Sequence, residues 1–348
     1  MSGTSLDGVD VALCEFVRDK NKGWLYTIKY AQTYPYNKIW YKNLREIHQK
    51  NAQEYVKLHV EYAHLVSGFI IKFCKTFNCK PDLIASHGHT VFHQPEKGFT
   101  AQIGCGATIA AQLKKTVITD FRSLDVALKG QGAPLVPIGD KLLFADYDYC
   151  INLGGFANIS FDSNNERIAF DICPVNIILN LLSTRYDSSL LFDNEGLLAA
   201  GGKCDNLLFN RLNELSFYTK PHPKSLGREW LETEFIPVLD SFPCSIADKL
   251  NTVTQHIVNQ IALILKKNNA GKKVLISGGG AYNSFLISLL KESVKEKEII
   301  IPDKYTIEYK EALIFAFLGL LRYKNEINCL KSVTGALRDS CSGALYAG

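Results

Sequence analysis

The order of apolar and polar residues along the chain predicts an alternation of strands and helices. Short runs rich in β-branched and aromatic residues predict strands, and longer stretches with apolar positions three or four residues apart predict helices. Strands are predicted at residues 9–16, 24–34, 82–86, 149–153, 157–161, 167–170, 273–277 and 299–301. Helices are predicted at residues 41–48, 53–77, 174–186, 247–267 and 309–323, and a glycine-rich turn, a short helix and a strand share residues 102–118. This mixture predicts an α/β protein.

A predicted hairpin in the middle of the chain carries the first candidate chemistry. Gly154 and Gly155 separate the strands predicted at 149–153 and 157–161, which indicates a tight turn. Glycines have no Cβ, so a phosphate can approach the backbone N–H groups of such a turn closely. The hairpin is therefore a candidate anion site.

Asp171 follows the strand predicted at 167–170 and precedes Pro174, a candidate first residue of the next helix. An acid at the end of a strand is well placed to act as a base in a cleft. The alternative is a helix N-cap, which aspartate often provides, and spacing alone favours the cap.

The first ten residues, MSGTSLDGVD, predict a second phosphate turn. Gly3, Thr4 and Ser5 offer backbone and hydroxyl donors, and the Asp7 carboxylate before Gly8 suits a Mg²⁺ ion. The alternative is an ordinary Asp-Gly turn. The strand that should enter this turn would lie before Met1, so we expect the sheet to lack most of its first strand or the chain to begin further upstream.

The segment SHGHTVFHQP contains His87, His89 and His93, and a polar loop is predicted there. Ligands that would complete a zinc site at a standard spacing are missing, so zinc ranks below the loop. Thr90 and His87 are instead candidates for binding a polyhydroxylated substrate.

Arg122 lies in a polar, glycine-rich stretch, residues 120–137, that is typical of a loop lining a cleft. Its guanidinium can hold a substrate carboxylate in a bidentate fork. A salt bridge to Asp120 or Asp125 is an equal alternative.

Gly278, Gly279 and Gly280 follow the buried strand predicted at 273–277 and precede a helix predicted to begin near Ala281. A strand, a glycine run and a helix N-terminus suit a nucleotide. The residues after 336 show little pattern.

Composition limits the class of protein. The chain has 348 residues, 47% apolar and 21% charged, with a net charge of +4, which is typical of a globular protein with two domains. Basic residues are scattered, which argues against nucleic acid as a partner. No apolar run approaches the ~20 residues of a membrane span, and no signal-peptide pattern occurs at the start. Ten cysteines without a CxxC pair predict free thiols in the cytoplasm.

Two halves that each begin with a glycine-bearing hairpin turn, the second also containing a glycine-rich turn, resemble the plan of the actin, hexokinase and Hsp70 fold. Longer motifs make the resemblance more specific: MSGTSLDGVD, SHGHTVFHQP, DFRSLDVALKGQGAPLVP, NLGGFANIS, PKSLGRE, SGGGAYN, EALIFAF and VTGA. Together, and in this order, they resemble the anhydro-N-acetylmuramic acid kinases of bacteria along essentially the whole chain.

The resemblance implies a two-lobed, ribonuclease H-like α/β fold with an active-site cleft between the lobes. It implies an N-terminal lobe at 1–145 and a C-terminal lobe at 146–348, the latter carrying the catalytic aspartate and the adenosine-binding glycine run. The last residues are free to pack on the first lobe. A small-molecule partner is implied, without nucleic acid or membrane, and a homodimer is left open.

The family's chemistry implies roles for matching residues. With ATP and Mg²⁺, such kinases phosphorylate O6 of 1,6-anhydro-N-acetylmuramic acid while water opens the anhydro bridge at C1, in cell-wall recycling. Asp171 matches the base that activates this water, and Glu311 a glutamate that helps to hold it. Thr90 and Arg122 match sugar contacts, with Arg122 on the lactyl carboxylate. The segment that matches the ATP phosphate site consists of Gly3, Thr4, Ser5, Leu6, Asp7, Gly8, Val9 and Asp10.

Three departures from the family pattern concern the site. Where the family has Asp-Thr-Gly-Pro-Gly-Asn, residues 171–176 read DICPVN. His89 replaces a glutamine, and Lys129 replaces one glycine of a pair. We expect the chemistry to survive, because Asp171 and Asn176 remain, and the fit of the substrate near 172–175 to change.

Three other functions are alternatives. A kinase for another 1,6-anhydro sugar, such as levoglucosan, would have no use for a carboxylate partner at Arg122. A non-catalytic sugar- or nucleotide-binding protein of the same fold would need no base, so Asp7, Asp171 and Glu311 argue against it. A zinc hydrolase ranks last.

Overall fold

The computed structural model describes residues 1–3, 6–268 and 271–348. These residues divide into two compact units. Unit 1 comprises Met1–Leu143 and Tyr309–Gly348, and unit 2 comprises Phe144–Glu308. Both units combine helices with β-sheet, so the predicted α/β class is confirmed. The predicted lobe limits and the predicted cleft between lobes stay predictions.

The strands are β1 (Gly8–Asp19), β2 (Gly23–Pro35), β3 (Leu83–Ala85), β4 (His89–Gln94), β5 (Phe99–Ile103), β6 (Thr116–Thr119), β7 (Tyr149–Leu153), β8 (Phe156–Ser163), β9 (Glu166–Pro174), β10 (Lys273–Ser277), β11 (Glu298–Ile300) and β12 (Ala344–Tyr346). The helices are α1 (Lys38–Glu46), α2 (Ala52–Thr76), α3 (Gly106–Leu113), α4 (Ser123–Ala127), α5 (Val136–Leu143), α6 (Asn176–Tyr186), α7 (Leu197–Gly201), α8 (Asn206–Asn213), α9 (Arg228–Trp230), α10 (Ile236–Asp240), α11 (Ile246–Lys267), α12 (Ser284–Ser293), α13 (Lys304–Tyr323) and α14 (Lys331–Thr334).

The strands of unit 1 form three small sheets. β1 and β2 are an antiparallel pair with a bulge between Leu13 and Cys14. β12, β6 and β3 form a sheet in that order, in which β3 is parallel and β12 antiparallel to β6. β4 and β5 form an antiparallel pair.

Helix α2 supplies the centre of the unit 1 core. Its buried side chains include Tyr62, Val66 and Ile70, which share one apolar cluster with Val9 of β1 and Ile84 of β3. The helix begins at a capping box: Asn51 Oδ1 accepts from the Glu54 N–H at 2.9 Å, and the Glu54 carboxylate accepts from the Asn51 N–H. Such reciprocal bonds satisfy backbone donors that the first helical turn leaves unpaired.

Met1 pairs with Asp10 of β1 through two backbone hydrogen bonds. Its amino group donates to the Asp10 carbonyl oxygen at 2.7 Å, and the Asp10 N–H donates to the Met1 carbonyl oxygen at 2.8 Å. This reciprocal pair of bonds is the pattern of an antiparallel rung. Met1 therefore lies where the strand predicted before the first turn would end.

Unit 2 is built on one five-stranded sheet with the order β11-β10-β7-β8-β9. β7, β8 and β9 form an antiparallel meander, and β10 lies parallel to β7 on its other side. This order, in which only β8 runs opposite to the other four strands, is that of the ribonuclease H-like fold shared by actin, hexokinase and Hsp70. The fold prediction is confirmed.

The register of this sheet decides which residues meet at its edge. Asn152 near the end of β7 pairs with Ser277 of β10 on one side and with Asn158 of β8 on the other, and Asn158 pairs with Asp171 of β9. The carboxyl ends of three strands therefore share one edge of the sheet, the position where α/β proteins bind their ligands.

Three predicted elements are wrong in detail. The polar loop predicted at SHGHTVFHQP is mostly strand β4, because its backbone pairs with β5. Helix α6 begins at Asn176 rather than Pro174, because β9 continues to Pro174 and pairs there with Phe156. The tail after residue 336, in which no element was predicted, contains β12, which pairs with β6.

Candidate active site

The glycine turn of unit 2 is present and is tied to the start of α6. The Gly155 carbonyl oxygen accepts from the Val175 N–H at 2.8 Å, and the Gly154 carbonyl oxygen accepts from the Asn176 N–H at 3.2 Å. The Asn176 side-chain amide donates to the Leu153 carbonyl oxygen at 2.9 Å. These bonds hold the turn between β7 and β8 against the beginning of the helix.

The glycine run lies against the same strand end. Gly278 has a φ of +80°, and a Cβ there would lie 2.5 Å from Asn152 Oδ1. A Cβ on Gly280 would lie 2.6 Å from Leu153 Cβ. Packing therefore requires glycine at 278 and 280.

At Gly155 and Gly279 packing makes no such demand, because an added Cβ would have its nearest neighbour at 3.9 Å and 3.6 Å respectively. Both glycines leave backbone that a ligand can approach closely. The two predicted glycine motifs are thus brought together at one edge of the unit 2 sheet, with Asn152, Leu153 and Asn176 between them.

Asp171 is a half-buried residue inside β9, not a helix cap. The N-cap position of α6 is Val175, so the helix cap that spacing alone favoured for Asp171 is wrong. Its Oδ2 accepts a hydrogen bond from the Leu226 N–H at 2.8 Å. Burial raises the pKa of the Asp171 carboxyl, and the Leu226 N–H opposes this rise because it stabilises the carboxylate.

The loop of residues 221–227, which carries the PKSLG motif, runs along β9. The Asp171 N–H donates to the Lys224 carbonyl oxygen at 3.1 Å. The Lys224 ammonium donates to the Phe217 carbonyl oxygen at 3.2 Å and lies 4.6 Å from the centre of the Phe217 ring. Lys224 thus anchors the loop, and the loop positions the Asp171 carboxylate.

The family departures beside Asp171 point into the core. Ile172, Cys173 and Val175 are 1%, 0% and 0% exposed and belong to the main apolar cluster of unit 2. Ile172 is the extra residue of a bulge, because Ala157 pairs with Cys173 and Asn158 with Asp171. A bulge redirects the side chains beside it, so the larger residues fill the interior while Asp171 stays at the edge.

The predicted phosphate turn at the start of unit 1 is only partly described, since Thr4 and Ser5 lie outside the described residues. Gly3 is half-buried, Leu6 has a φ of 59°, and Asp7, just before β1, is exposed. Gly8 packs on β2, where a Cβ would lie 2.4 Å from the Tyr34 carbonyl oxygen.

The next two residues of the segment have other environments. Val9 is buried in the core, which makes it a structural residue. Asp10 Oδ1 accepts from the Thr33 hydroxyl at 2.6 Å.

His87 and Arg122 form a hydrogen-bonded pair in unit 1. The Arg122 Nε donates to His87 Nε2 at 3.0 Å, and His87 Nδ1 lies 3.0 Å from the Gly88 carbonyl oxygen. His87 therefore carries its proton on Nδ1 and is neutral; burial and the Arg122 charge hold its pKa well below the usual value. Arg122 Nη1 also donates to the Gly132 carbonyl oxygen at 2.7 Å.

The alternative salt bridges of Arg122 are not formed, because both acids are engaged elsewhere. Asp120 Oδ1 accepts from the Ser123 N–H at 3.2 Å. Asp125 is buried and accepts from the Gly132 N–H at 2.8 Å and from the Thr334 hydroxyl at 2.8 Å. Burial lowers the pKa of Arg122 to about 10, which leaves it positively charged at neutral pH.

Glu311, near the point where α13 enters unit 1, interacts electrostatically with Arg122, Asp10 and the Met1 amino group. Glu311 is exposed at its surface but lies among protein atoms. The loss of part of its hydration raises the pKa of the Glu311 carboxyl, and the Arg122 charge opposes the rise. The structure thus gathers Asp10, Arg122, His87 and Glu311 into one charged cluster.

The remaining predicted residues lie on β4. The Thr90 hydroxyl accepts from the Gln102 amide at 3.4 Å, and His93 Nδ1 lies 3.1 Å from the Thr100 hydroxyl. His89 is buried, with Nδ1 3.1 Å from the Ser2 hydroxyl. Within the described ranges, no three His, Cys, Asp or Glu side chains are grouped as a metal site would require.

Sequence reasoning missed Asp125 as a support of the site. The Asp125 carboxylate accepts from Gly132 and Thr334, and so connects the loop that contacts Arg122 to α14. The only available signal was its place within the DFRSLD motif, because its partners lie up to 209 residues away.

Lys129, in place of a glycine, has a φ of +69° and is exposed, so it retains the left-handed conformation that glycine adopts more easily.

Among the helices of the described residues, none has the length and apolar character that a bilayer crossing requires.

The ribonuclease H-like sheet, the glycines at its edge and the half-buried aspartate beside them define the class of the actin, hexokinase and Hsp70 fold to which sugar kinases belong. A family model described as anhydro-N-acetylmuramic acid kinase matches residues 1–348. The chain therefore belongs to the anhydro-N-acetylmuramic acid kinase family.

Individual relatives agree with the family match. A protein named anhydro-N-acetylmuramic acid kinase from Shewanella amazonensis is 34% identical over 99% of this chain and 97% of its own length. Proteins of the same name from Francisella tularensis subsp. novicida and Bacillus thuringiensis subsp. konkukian are 33% and 32% identical over 97% of this chain, and over 94% and 95% of their own lengths. The predicted family and kinase class are confirmed, and neither a kinase for another anhydro sugar nor a non-catalytic binding protein is favoured.

Proposed function

We propose that this protein transfers the γ-phosphoryl group of ATP to O6 of 1,6-anhydro-N-acetylmuramic acid while water opens the anhydro bridge at C1. The products are N-acetylmuramic acid 6-phosphate and ADP. One observation carries the proposal: Asp171 lies half-buried at the same sheet edge as Gly154–Gly155 and Gly278–Gly280, in a chain that matches the family over its full length.

Asp171 is the proposed general base. Its carboxylate would take a proton from the water that attacks C1, so that the C1–O6 bond breaks and O6 attacks the γ-phosphorus. The raised pKa suits this role, because a more basic carboxylate accepts a proton more readily. The Leu226 N–H would hold the carboxylate in a single orientation.

The unit 1 cluster contains the proposed sugar contacts. Arg122 carries five N–H groups. Nε, Nη1 and Nη2 each direct one toward His87 or Gly132, which leaves N–H groups for the lactyl carboxylate. His87 accepts hydrogen bonds from the guanidinium and, being neutral, leaves its positive charge for the substrate carboxylate. For Thr90 we propose a sugar hydroxyl contact, and for Glu311 a contact to the attacking water.

The residues present fit a nucleotide. At Gly155 and Gly279 the packing would tolerate a side chain, so glycine there leaves backbone that a ligand can approach. This supports binding of ATP by Gly154, Gly155 and Gly278–Gly280. The segment Gly3–Asp10, which includes Thr4 and Ser5, is proposed for the phosphates. Asp7 is proposed for Mg²⁺, which binds through one or two carboxylates plus phosphates and water; the ion would offset charge on the transferring phosphoryl group.

We further propose that the protein acts in the cytoplasm, in recycling of cell-wall sugars. All ten cysteines are free thiols, which supports a reducing compartment. A homodimer remains a proposal with no support from an observed surface.

The function is tested by product analysis in ¹⁸O-labelled water with ATP and 1,6-anhydro-N-acetylmuramic acid. We expect N-acetylmuramic acid 6-phosphate with the label at C1 and none in the phosphate, because water attacks carbon and O6 attacks phosphorus. Label in the phosphate, or equal turnover of levoglucosan, would contradict the proposal.

Replacing Asp171 by asparagine keeps the shape of the side chain and removes its basicity. We expect the turnover rate of Asp171→Asn to fall by ~10² to 10⁴. ATP affinity should stay near the wild-type value, as measured by calorimetry. More than a tenth of the wild-type rate would mean that Asp171 is not the base.

A pH profile tests the loop that holds Asp171. Only the ionised carboxylate acts as a base, so turnover should fall as pH drops through the pKa of Asp171, which burial raises above the ordinary aspartate value. Leu226→Pro removes the N–H that lowers this pKa, so we expect the acid limb to move to higher pH with a similar plateau. Leu226→Ala, which keeps the N–H, is the matched control. A lower plateau with an unmoved limb would indicate a merely structural role.

The glycine run allows a comparison within one motif. Gly279→Ala should weaken ATP binding and leave the melting temperature nearly unchanged, because its Cβ meets no atom within 3.6 Å. Gly278→Ala should lower the melting temperature, since glycine there is required by packing and by a positive φ. Gly201→Ala, where an added Cβ meets nothing within 4 Å, controls for the change itself. Unaltered ATP affinity in Gly279→Ala would argue against this nucleotide site.

A further inference from the structure

The carboxyl end of α2 brings two cysteines together. The helix ends at Thr76, its C-cap is Phe77, and Asn78 follows with a φ of 45°, in the left-handed region. The Cys79 N–H then donates to the Cys74 carbonyl oxygen at 3.0 Å. A bond that returns in this way across a left-handed residue is the Schellman motif, in which the side chains at its two ends commonly pack on each other. Here both of those residues are cysteines.

The two thiols are hydrogen-bonded to each other. Burial and then the neighbouring Cys79 raise the pKa of the Cys74 thiol to about 11, and the positive charge of Lys115 opposes the rise. Cys74 therefore keeps its proton at neutral pH and donates its hydrogen bond to the Cys79 sulfur. Because a thiolate rather than a thiol attacks another sulfur atom, Cys79 is the first nucleophile of the pair.

The surroundings of the pair admit a small anionic reagent. Both cysteines are half-buried, and Lys75, Asn78 and Lys80 beside them are exposed, so the turn faces solvent. Lys115 adds a third positive charge close to the sulfurs. Asp82 is the acid nearest in sequence, which leaves an excess of positive charge. Such an excess favours the approach of an anion.

We propose that Cys74 and Cys79 form a redox-active dithiol, a modification site that closes into a disulfide by exchange with an anionic low-molecular-weight disulfide such as glutathione disulfide. The Cys79 thiolate attacks one sulfur of the reagent, whose S–S bond breaks and releases one thiolate. Cys74 then loses its proton to solvent, attacks the Cys79 sulfur of the mixed disulfide and displaces the second thiolate. The two protein thiols are oxidised, and the reagent is reduced to two thiols that take up the two protons.

The backbone at the end of α2 favours the second step. Closing a loop costs chain entropy, and the bond between Cys79 and Cys74 already fixes the backbone of that loop in the folded chain. The site does not depend on the proposed kinase reaction. A reducing thiol pool keeps it as a dithiol, and an oxidised pool closes it.

The proposal is tested on the reduced, full chain in buffers of glutathione and glutathione disulfide at set ratios. The samples are quenched with acid, alkylated and digested with trypsin for mass spectrometry. Trypsin cleaves after Lys72 and Lys75, so the disulfide would join the peptide of residues 73–75 to the one that begins at Thr76. We expect this linked pair to increase as the buffer becomes more oxidised. Glutathione adducts without the linked pair would overturn the proposal.

Two variants at residue 78 test the geometry. A β-branched residue disfavours the left-handed conformation, so Asn78→Val should lower the equilibrium constant for closing the disulfide by ~10-fold. Asn78→Gly keeps this conformation readily and should leave the constant near the wild-type value. Equal constants in the two variants would show that the helix end does not bring the thiols together.

Three cysteine variants assign the roles of the sulfurs. Cys74→Ser lacks the second nucleophile, so we expect a stable glutathione adduct on Cys79. Cys79→Ser lacks the first nucleophile, so its Cys74 should react at least ~10-fold more slowly than Cys79 does in Cys74→Ser. Cys105→Ser, at a half-buried cysteine outside the turn, should form the linked pair normally. Faster reaction of Cys74 than of Cys79, or loss of the linked pair in Cys105→Ser, would contradict the proposed dithiol.

Discussion

The pairing of β7 with β8 on one side and β10 on the other is the constraint on which unit 2 depends. It places the ends of β7 and β10 side by side, so the turn after one strand and the glycine run after the other meet. It also sets the register through β8 to Asp171. A shift of one residue would turn Asp171 to the opposite face, because side chains alternate along a strand.

The same constraint explains why the substitutions beside Asp171 leave it in place. The bulge at Ile172 and the burial of Cys173 and Val175 direct added volume into a core shared with α6 and α11. Asp171 is then held from the other side by the loop at residues 224–226. Backbone geometry, rather than the identity of residues 172–175, determines where the carboxylate lies.

In unit 1 the site depends on charge more than on sheet register. Arg122 is placed by neutral His87 and by the Gly132 carbonyl oxygen, and that carbonyl belongs to a loop held by Asp125. Burying a cation is costly unless it is bonded and compensated. Here Arg122 donates its hydrogen bonds to uncharged acceptors, and the compensating charge is that of Glu311. Part of the guanidinium's hydrogen-bonding capacity is left for a ligand.

The sequence alone determined the elements whose signal is local. The strand at 273–277 was predicted with its observed limits, and α2 and α11 within about one residue, since periodicity and capping are local. Length and order of the motifs, such as SGGGAYN, identified the family without any structure. The glycine motifs of the site could be found in the sequence. Which of their glycines are required by packing could not.

Tertiary structure decided whatever depends on partners distant in sequence. The segment containing His89 and His93 became a strand because β5 pairs with it, and the tail became β12 because β6 offers an edge. Asp171 was separated from a helix cap by three further residues of β9, of which Cys173 and Pro174 pair with β8. Asp125 gained its role only when Gly132 and Thr334 were folded against it, since bonds across up to 209 residues leave no periodic trace in the chain.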